Sequence, residues 1–307
     1  MKLHNDKERF QEAIRATSTM FGIEPALVEK DYFVTLFLRK AVERIPGLVF
    51  KGGTSLSKCY NLIDRFSEDI DLTLDDEHFT QSKKRNSIKA LIAVCDELGL
   101  ELINKKTIEK HTHGNFNCYD IRYPIIFPSE DVKTELKVEM TYIQKCYPHE
   151  QGKATSYIGE FFAKNGNGRV VAEYELDAFT VQVQSLERTL VDKVFAICDY
   201  YLSENTVRNS RHIYDISKLL TKVDVSDLNL KLLVENVRND RKSNKTCLSA
   251  QDGANVPELL KKIVETEFFR QDYDETTLKL LTGTVSYDEA IKSLQTVIDS
   301  GLFEPKL

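Results

Sequence analysis

The sequence has no long apolar run. None of its 307 residues lies in a stretch approaching the ~18 apolar residues of a membrane-spanning helix, so no membrane segment is expected. The opening residues, MKLHNDKERFQEAI, lack an apolar signal core and are charged from the start, which makes the cytoplasm the expected location. Proline and glycine are sparse, at 7 and 13 residues, beside 41% hydrophobic and 29% charged residues; this leaves little room for disorder and points to ordinary globular folding. There is no CxxC pair. Cys59, Cys95, Cys118, Cys146, Cys198 and Cys247 are scattered without histidines at zinc spacing, and are expected as reduced core residues. Positive charge is not in excess either: the formal net charge of −6 argues against a protein that coats nucleic acid. It leaves open a local basic groove, for which Lys83-Lys84-Arg85, Lys105-Lys106, and Arg238 with Arg241, Lys242 and Lys245 are the candidates.

What is present changes character along the chain. Residues 5–21 and 24–44 carry apolar positions at helical period, the second helix starting at Glu24-Pro25, where proline suits a first turn. LVF (48–50) reads as a buried strand, DIDLTL (69–74) as another, and ELKVEMTY (135–142) alternates as a half-buried strand should. Between them, a short helix after Gly52-Gly53 is expected to be capped by Thr54 or Ser55, with Leu56, Tyr60 and Ile63 inside. Residues 82–98 read as a helix, 100–127 as strands around a turn at His113-Gly114-Asn115, 163–169 as a turn, and FTVQVQS (179–185) as a strand. From Leu186 the pattern is helical, over 186–202, 211–220, 228–237, 256–268 and 286–299, and no repeat is visible. The expectation is an α+β part over 1–184, a mixed sheet with flanking helices, followed by an all-helical part over 185–307.

The stretch KGGTSLSKCYNLIDRFSEDIDLTLDD (51–76) holds the chemistry. Strand alternation puts Asp69 and Asp71 on one face, about 7 Å apart at Cα. Parallel carboxylates repel, and a divalent ion between them removes that penalty. Magnesium suits the pair, because it takes hard oxygen ligands and keeps positions for phosphate oxygens. The Gly52-Gly53 turn lets backbone N–H groups approach an anion, with Thr54, Ser55 and Ser67 as further donors. Glu139, between Val138 and Met140, would face the same way as Asp69 and Asp71 from a neighbouring strand. It could complete a two-metal site or deprotonate an attacking hydroxyl. Paired glycines often mark only a tight turn, and a DxD strand often only faces water; their order, followed by a later strand acid, is the less common event.

These residues resemble the polymerase-β-like nucleotidyltransferase superfamily. More closely, LVEKDYFVTLFL (27–38), FKGGTSLSK (50–58), RFSEDIDL (65–72), SLERTLVDKVFAI (185–197) and RHIYDISKLL (211–220) resemble the AbiEii/AbiGii nucleotidyltransferase-like toxins of bacterial toxin–antitoxin and abortive-infection systems. The resemblance implies a polymerase-β-like nucleotidyltransferase domain. In it Gly53, Thr54 and Ser55 cradle a triphosphate, with Lys58 one turn on, and Ser67, Asp69 and Asp71 form the catalytic edge. It also implies that Lys193 neutralises the triphosphate and that Asp215 completes or orients the site, which would put the nucleotide in a cleft between the two halves of the chain. From spacing alone Lys193 reads more readily as a snorkelling lysine, and Asp215 as the helical i,i+4 partner of Arg211; only the resemblance lifts them. Many superfamily members carry Gly-Ser where this chain has Gly53-Thr54; threonine supplies the same hydroxyl.

The expected function is therefore magnesium-dependent transfer of a nucleotide from a nucleoside triphosphate, with pyrophosphate leaving. The resemblance points to RNA, specifically the 3′ end of tRNA, as acceptor, and to a cognate antitoxin as partner. A protein hydroxyl is the alternative acceptor, and a non-catalytic nucleotide- or partner-binding module the alternative outside enzymes.

Overall fold

A computed structural model describes residues 2–67, 69–75, 80–110, 114–130, 132–142 and 145–304. Glu68 of the RFSEDIDL motif and His113 of the expected turn lie outside the described residues. The chain divides into two compact units. The first comprises Met1–Tyr60, Ser67–Tyr142 and Glu150–Val183, and the second Asn61–Phe66, Ile143–His149 and Gln184–Leu307.

The first unit is α+β. Helix α1 (Lys7–Phe21) starts where Asp6 accepts from the Arg9 N–H and stops at Gly22 in the left-handed region. Helix α2 (Pro25–Arg44) follows, then strand β1 (Leu48–Lys51), helix α3 (Gly52–Lys58), strand β2 (Asp69–Leu74) and helix α4 (Gln81–Leu98). Next come β3 (Glu101–Leu102), α5 (Lys105–Lys110), β4 (Phe116–Arg122), β5 (Glu135–Thr141) and β6 (His149–Ala154). Helices α6 (Tyr157–Lys164) and α7 (Gly168–Glu173) lead to β7 (Phe179–Gln184). The strands form one mixed sheet in the order β3-β4-β5-β2-β1-β7-β6. β2 runs antiparallel to β1 and parallel to β5. Ile70, Leu72, Val138 and Met140 are fully buried on one face, in one core with Phe33 and Phe37 of α2 and Leu91 and Val94 of α4. Alternation then sends Asp69, Asp71, Lys137 and Glu139 to the opposite face.

Three local expectations are corrected. Helix α3 begins at Gly52, so Thr54 and Ser55 lie inside it and cap nothing, and it ends at Lys58, before Tyr60 and Ile63. A helix, α5, interrupts the strands of 100–127. Strand β6, HEQGKA, escapes the sequence pattern because it has almost no apolar alternation.

The second unit is helical: α8 (Leu186–Leu202), α9 (Arg211–Leu219), α10 (Leu228–Lys242) and α11 (Val256–Glu265), with shorter turns beyond. Ser185 caps α8 by accepting from the Arg188 N–H. Leu190, Val194, Ile213, Ile216, Val237 and Leu260 fill its interior. The segment 61–66 is stitched into this unit by backbone bonds. Phe66 N–H donates to Leu280 O at 3.0 Å, and Thr282 N–H donates to Asp64 O at 2.8 Å. Cys95, Cys146, Cys198 and Cys247 are buried, and Cys59 and Cys118 are half-buried. Among the described residues, no helix is long and apolar enough to cross a membrane.

Candidate active site

The half-buried face of the sheet gathers the acids. Asp71 is registered with Glu139 across the parallel β2–β5 ladder, and Asp69 with Lys137. On the other side of β2, Lys51 is registered with Asp71. Beyond β5, Cys118 is registered with Glu139 and Asp120 with Lys137. Registered partners share a face, so Lys51, Asp71, Glu139 and Cys118 make one row and Asp69, Lys137 and Asp120 the next. Burial pushes the Glu139 carboxyl up to about 7, and the charges of Asp71 and Asp69 push it the same way, against weaker opposition from Lys137 and Lys51. Glu139 thus resists ionising beside the two aspartates unless a cation joins them.

The glycine turn has a specific geometric cause. Gly52 has φ +75°, and a Cβ built on it would lie 1.9 Å from Asp71 Oδ2. The absence of a side chain at Gly52 is what gives the Asp71 carboxylate its place against the start of α3. Gly53 follows as the second residue of the helix. The hydroxyls expected to hold phosphate are engaged locally. Thr54 Oγ1 donates to the backbone carbonyl of Asp69 and lies 2.9 Å from Ser67 Oγ, so it ties α3 to the start of β2. Ser55 Oγ donates to Gly52 O at 2.8 Å and is fully buried. Lys58 is held elsewhere: its ammonium sits 2.5 Å from Asp31 Oδ1 and 2.6 Å from Thr35 Oγ1.

In the helical unit, Lys193 and Asp215 come together. Lys193 Nζ lies 2.6 Å from Asp215 Oδ2, with both side chains nearly excluded from water. A residue that sequence reasoning did not single out completes the cluster. Arg65 Nε and Nη2 donate to Asp215 Oδ1 and Oδ2, each at 2.7 Å. Burial pushes the Asp215 carboxyl up, but Arg65 and Lys193 together overcome it and hold the carboxyl well below the usual range. Burial lowers the Lys193 ammonium from its ordinary value, Arg65 and Arg211 push the same way, and Asp215 opposes them. The other overlooked cation is Lys51, whose place opposite Asp71 depends on the β1–β2 register.

The basic clusters are partly absorbed by packing. Lys84 is buried with its ammonium 4.9 Å from the centre of the Tyr142 ring. Arg241 is buried against Asp199 at 2.7 Å, Lys242 pairs with Asp252 at 2.5 Å, and Arg238 donates to Phe303 O at 3.2 Å.

A family model described as the nucleotidyl transferase AbiEii toxin of a type IV toxin–antitoxin system matches residues 36–298. The chain belongs to that family. Among solved structures it is similar to MenT4, a nucleotidyltransferase toxin from Mycobacterium tuberculosis, with a TM-score of 0.57 and 18% identity over 92% of this chain and 84% of that one. At that identity the likeness is one of fold. No curated protein matches the chain.

AbiEii membership makes the chain one of a family of nucleotidyltransferases, a class that generally uses divalent ions. The donors on the sheet face fit such an ion: they are hard oxygens, and the raised Glu139 carboxyl marks a place where positive charge is favourable. Among the described residues, no three acidic, histidine or cysteine side chains converge as a ready-made metal cage. Magnesium is commonly held by one or two carboxylates together with substrate phosphates.

Proposed function

We propose that this AbiEii-family chain is a magnesium-dependent nucleotidyltransferase toxin that transfers nucleotide from a nucleoside triphosphate to RNA, at the 3′ end of tRNA, and so blocks translation in the cytoplasm. The observation that carries the reading is Asp71 registered with Glu139 on the same face as Asp69, with the Asp71 carboxylate seated against Gly52. The sheet-bearing part, residues 1–184, is read as the nucleotidyltransferase domain and 185–307 as its helical partner. A cognate antitoxin follows from the family.

Asp69 and Asp71 would hold the magnesium ion, which supplies charge neutralisation at the phosphates when bound. Glu139 is read as the third ligand or as the base that takes the proton from the acceptor hydroxyl. The acceptor oxygen bonds to the α-phosphorus, the bond to the β-phosphate oxygen breaks, and pyrophosphate leaves. The α3 turn, Gly52 to Ser55, would offer its backbone N–H groups to the phosphates, and Ser67 lies beside Thr54 of the same turn. Lys193, oriented by Asp215, is the cation assigned to the triphosphate, and Lys58 falls to a structural role beside Asp31. Catalysis then rests on alignment and charge neutralisation. Arg85 and Lys245 of the two expected groove clusters, and Lys106, are exposed and are the cations read as meeting an RNA backbone.

Incubation of the purified protein with each α-labelled triphosphate, magnesium and total RNA tests the reading. Label in a tRNA-sized band is the expected result. Label on a protein band identifies a protein hydroxyl as acceptor, and tight nucleotide binding with no transfer identifies a non-catalytic module; either overturns the proposal.

A further inference from the structure

Arg65 stands out because nothing in the proposed chemistry calls for it, yet its side chain is 2% exposed and wholly committed. Its Nη1 donates to Phe66 O at 3.1 Å, and its Nε and Nη2 take both oxygens of Asp215. Its backbone is fixed as well, by an antiparallel bridge to Leu281. A planar guanidinium bound to both carboxylate oxygens fixes the carboxylate plane in a way that a single ammonium does not. Lys193 then meets an acceptor whose direction is already set, at 2.6 Å on Oδ2. The lysine stem has four rotatable carbons, so the position of its charge depends on that acceptor.

We infer that Arg65 is a positioning residue for a polyphosphate site, holding Asp215 so that the Lys193 ammonium is presented to the phosphates rather than captured by a freely turning carboxylate. This rests on the assignment of Lys193 to the triphosphate made above. Without Arg65 the Asp215 carboxylate turns to offer both oxygens to Lys193, and the charge available to an anion falls. The loss should appear in phosphate binding and should pass through Lys193.

Inorganic tripolyphosphate is the probe, because it carries the phosphate chain without a base. Its dissociation constant is measured by calorimetry for wild type, Arg65→Gln, Lys193→Met and the double variant, each first checked by thermal melting. The expected result is a loss of tenfold or more in Arg65→Gln and in Lys193→Met, with no further loss in the double variant, because the two act as one unit. Unchanged affinity in Arg65→Gln, or losses that multiply in the double variant, overturns the inference, as does a wild type that does not bind the probe. A purely structural Arg65 would lower the melting temperature and leave the affinity alone. If Arg65→Gln does not fold, Arg65→Lys replaces it in the same cycle, with an expected loss of several fold, since one ammonium cannot hold both oxygens. RNA labelling by the same wild-type preparation is scored separately, so failure of the transfer reaction is distinguished from failure of the Arg65 assignment.

Discussion

Asp71 and Glu139 stand opposite each other across a parallel ladder, so two half-buried carboxylates share one face of the sheet from neighbouring strands. Burial and the two aspartates raise the Glu139 carboxyl from its ordinary 4.5 to about 7. A carboxyl raised in the folded state contributes stability that is full below its unfolded value and is lost as pH rises through the folded value. Chelator-treated protein should therefore lose stability as pH rises from 4.5 to about 7, and Glu139→Gln should abolish that part of the loss. Thermal melts across this range decide it; equal slopes in wild type and variant contradict the assignment.

Gly52→Ala tests the seat of Asp71. The new methyl would fall 1.9 Å from Asp71 Oδ2 on a backbone with φ +75°, so the carboxylate must move. A displacement of about 1 Å at a reacting centre lowers rates by roughly 10²-fold. Initial rates of nucleotide transfer should fall by that order while the protein remains folded by circular dichroism. A variant as fast as wild type would show that Asp71 needs no such seat.

Lys58 and Asp31 make a contrasting prediction. Their ion pair is buried, with side chains 6% and 9% exposed, and Asp31 Oδ2 also accepts from the Tyr157 N–H at 2.9 Å. Lys58→Met strips a buried carboxylate of its cation and should destabilise the protein by about 3–5 kcal/mol in denaturant melts. The KM for nucleoside triphosphate should stay at its wild-type value. A raised KM with unchanged stability would return Lys58 to the phosphate site.

The legible part of this chain is the part whose cause is local. Asp69 and Asp71 share a face because strands alternate, and the adjoining Gly-Gly was visible as a turn; the structure adds that Gly52 is the residue whose Cβ would meet Asp71. Roles set by distant partners were not legible. Arg65 meets a carboxylate 150 positions away, and Lys51 acquires its neighbour only through the β1–β2 register. Glu29, Lys30 and Asp31 sit in a helix that reads as apolar, and all three are buried. Glu29 accepts from Ile126 and Phe127 N–H at 2.8 and 2.9 Å, and Lys30 donates to Lys133 O at 2.8 Å. No periodicity reveals such partners, because they are backbone groups of another segment. The helical C-terminal half was legible from its 3.6-residue period, as on α8, where Leu190, Val194 and Ile197 are buried.

Divalent-ion binding at the sheet face is the most direct test. Mn²⁺ can stand in for magnesium and be followed by electron paramagnetic resonance, with saturating nucleoside triphosphate, in wild type, Asp69→Asn and Asp71→Asn. Wild type should take up the ion at the protein–nucleotide complex, and each variant should bind it at least tenfold more weakly while losing transfer to RNA. Equal Mn²⁺ affinity in all three proteins, or no uptake by wild type, would contradict the assignment of these two aspartates as the centre of the reaction.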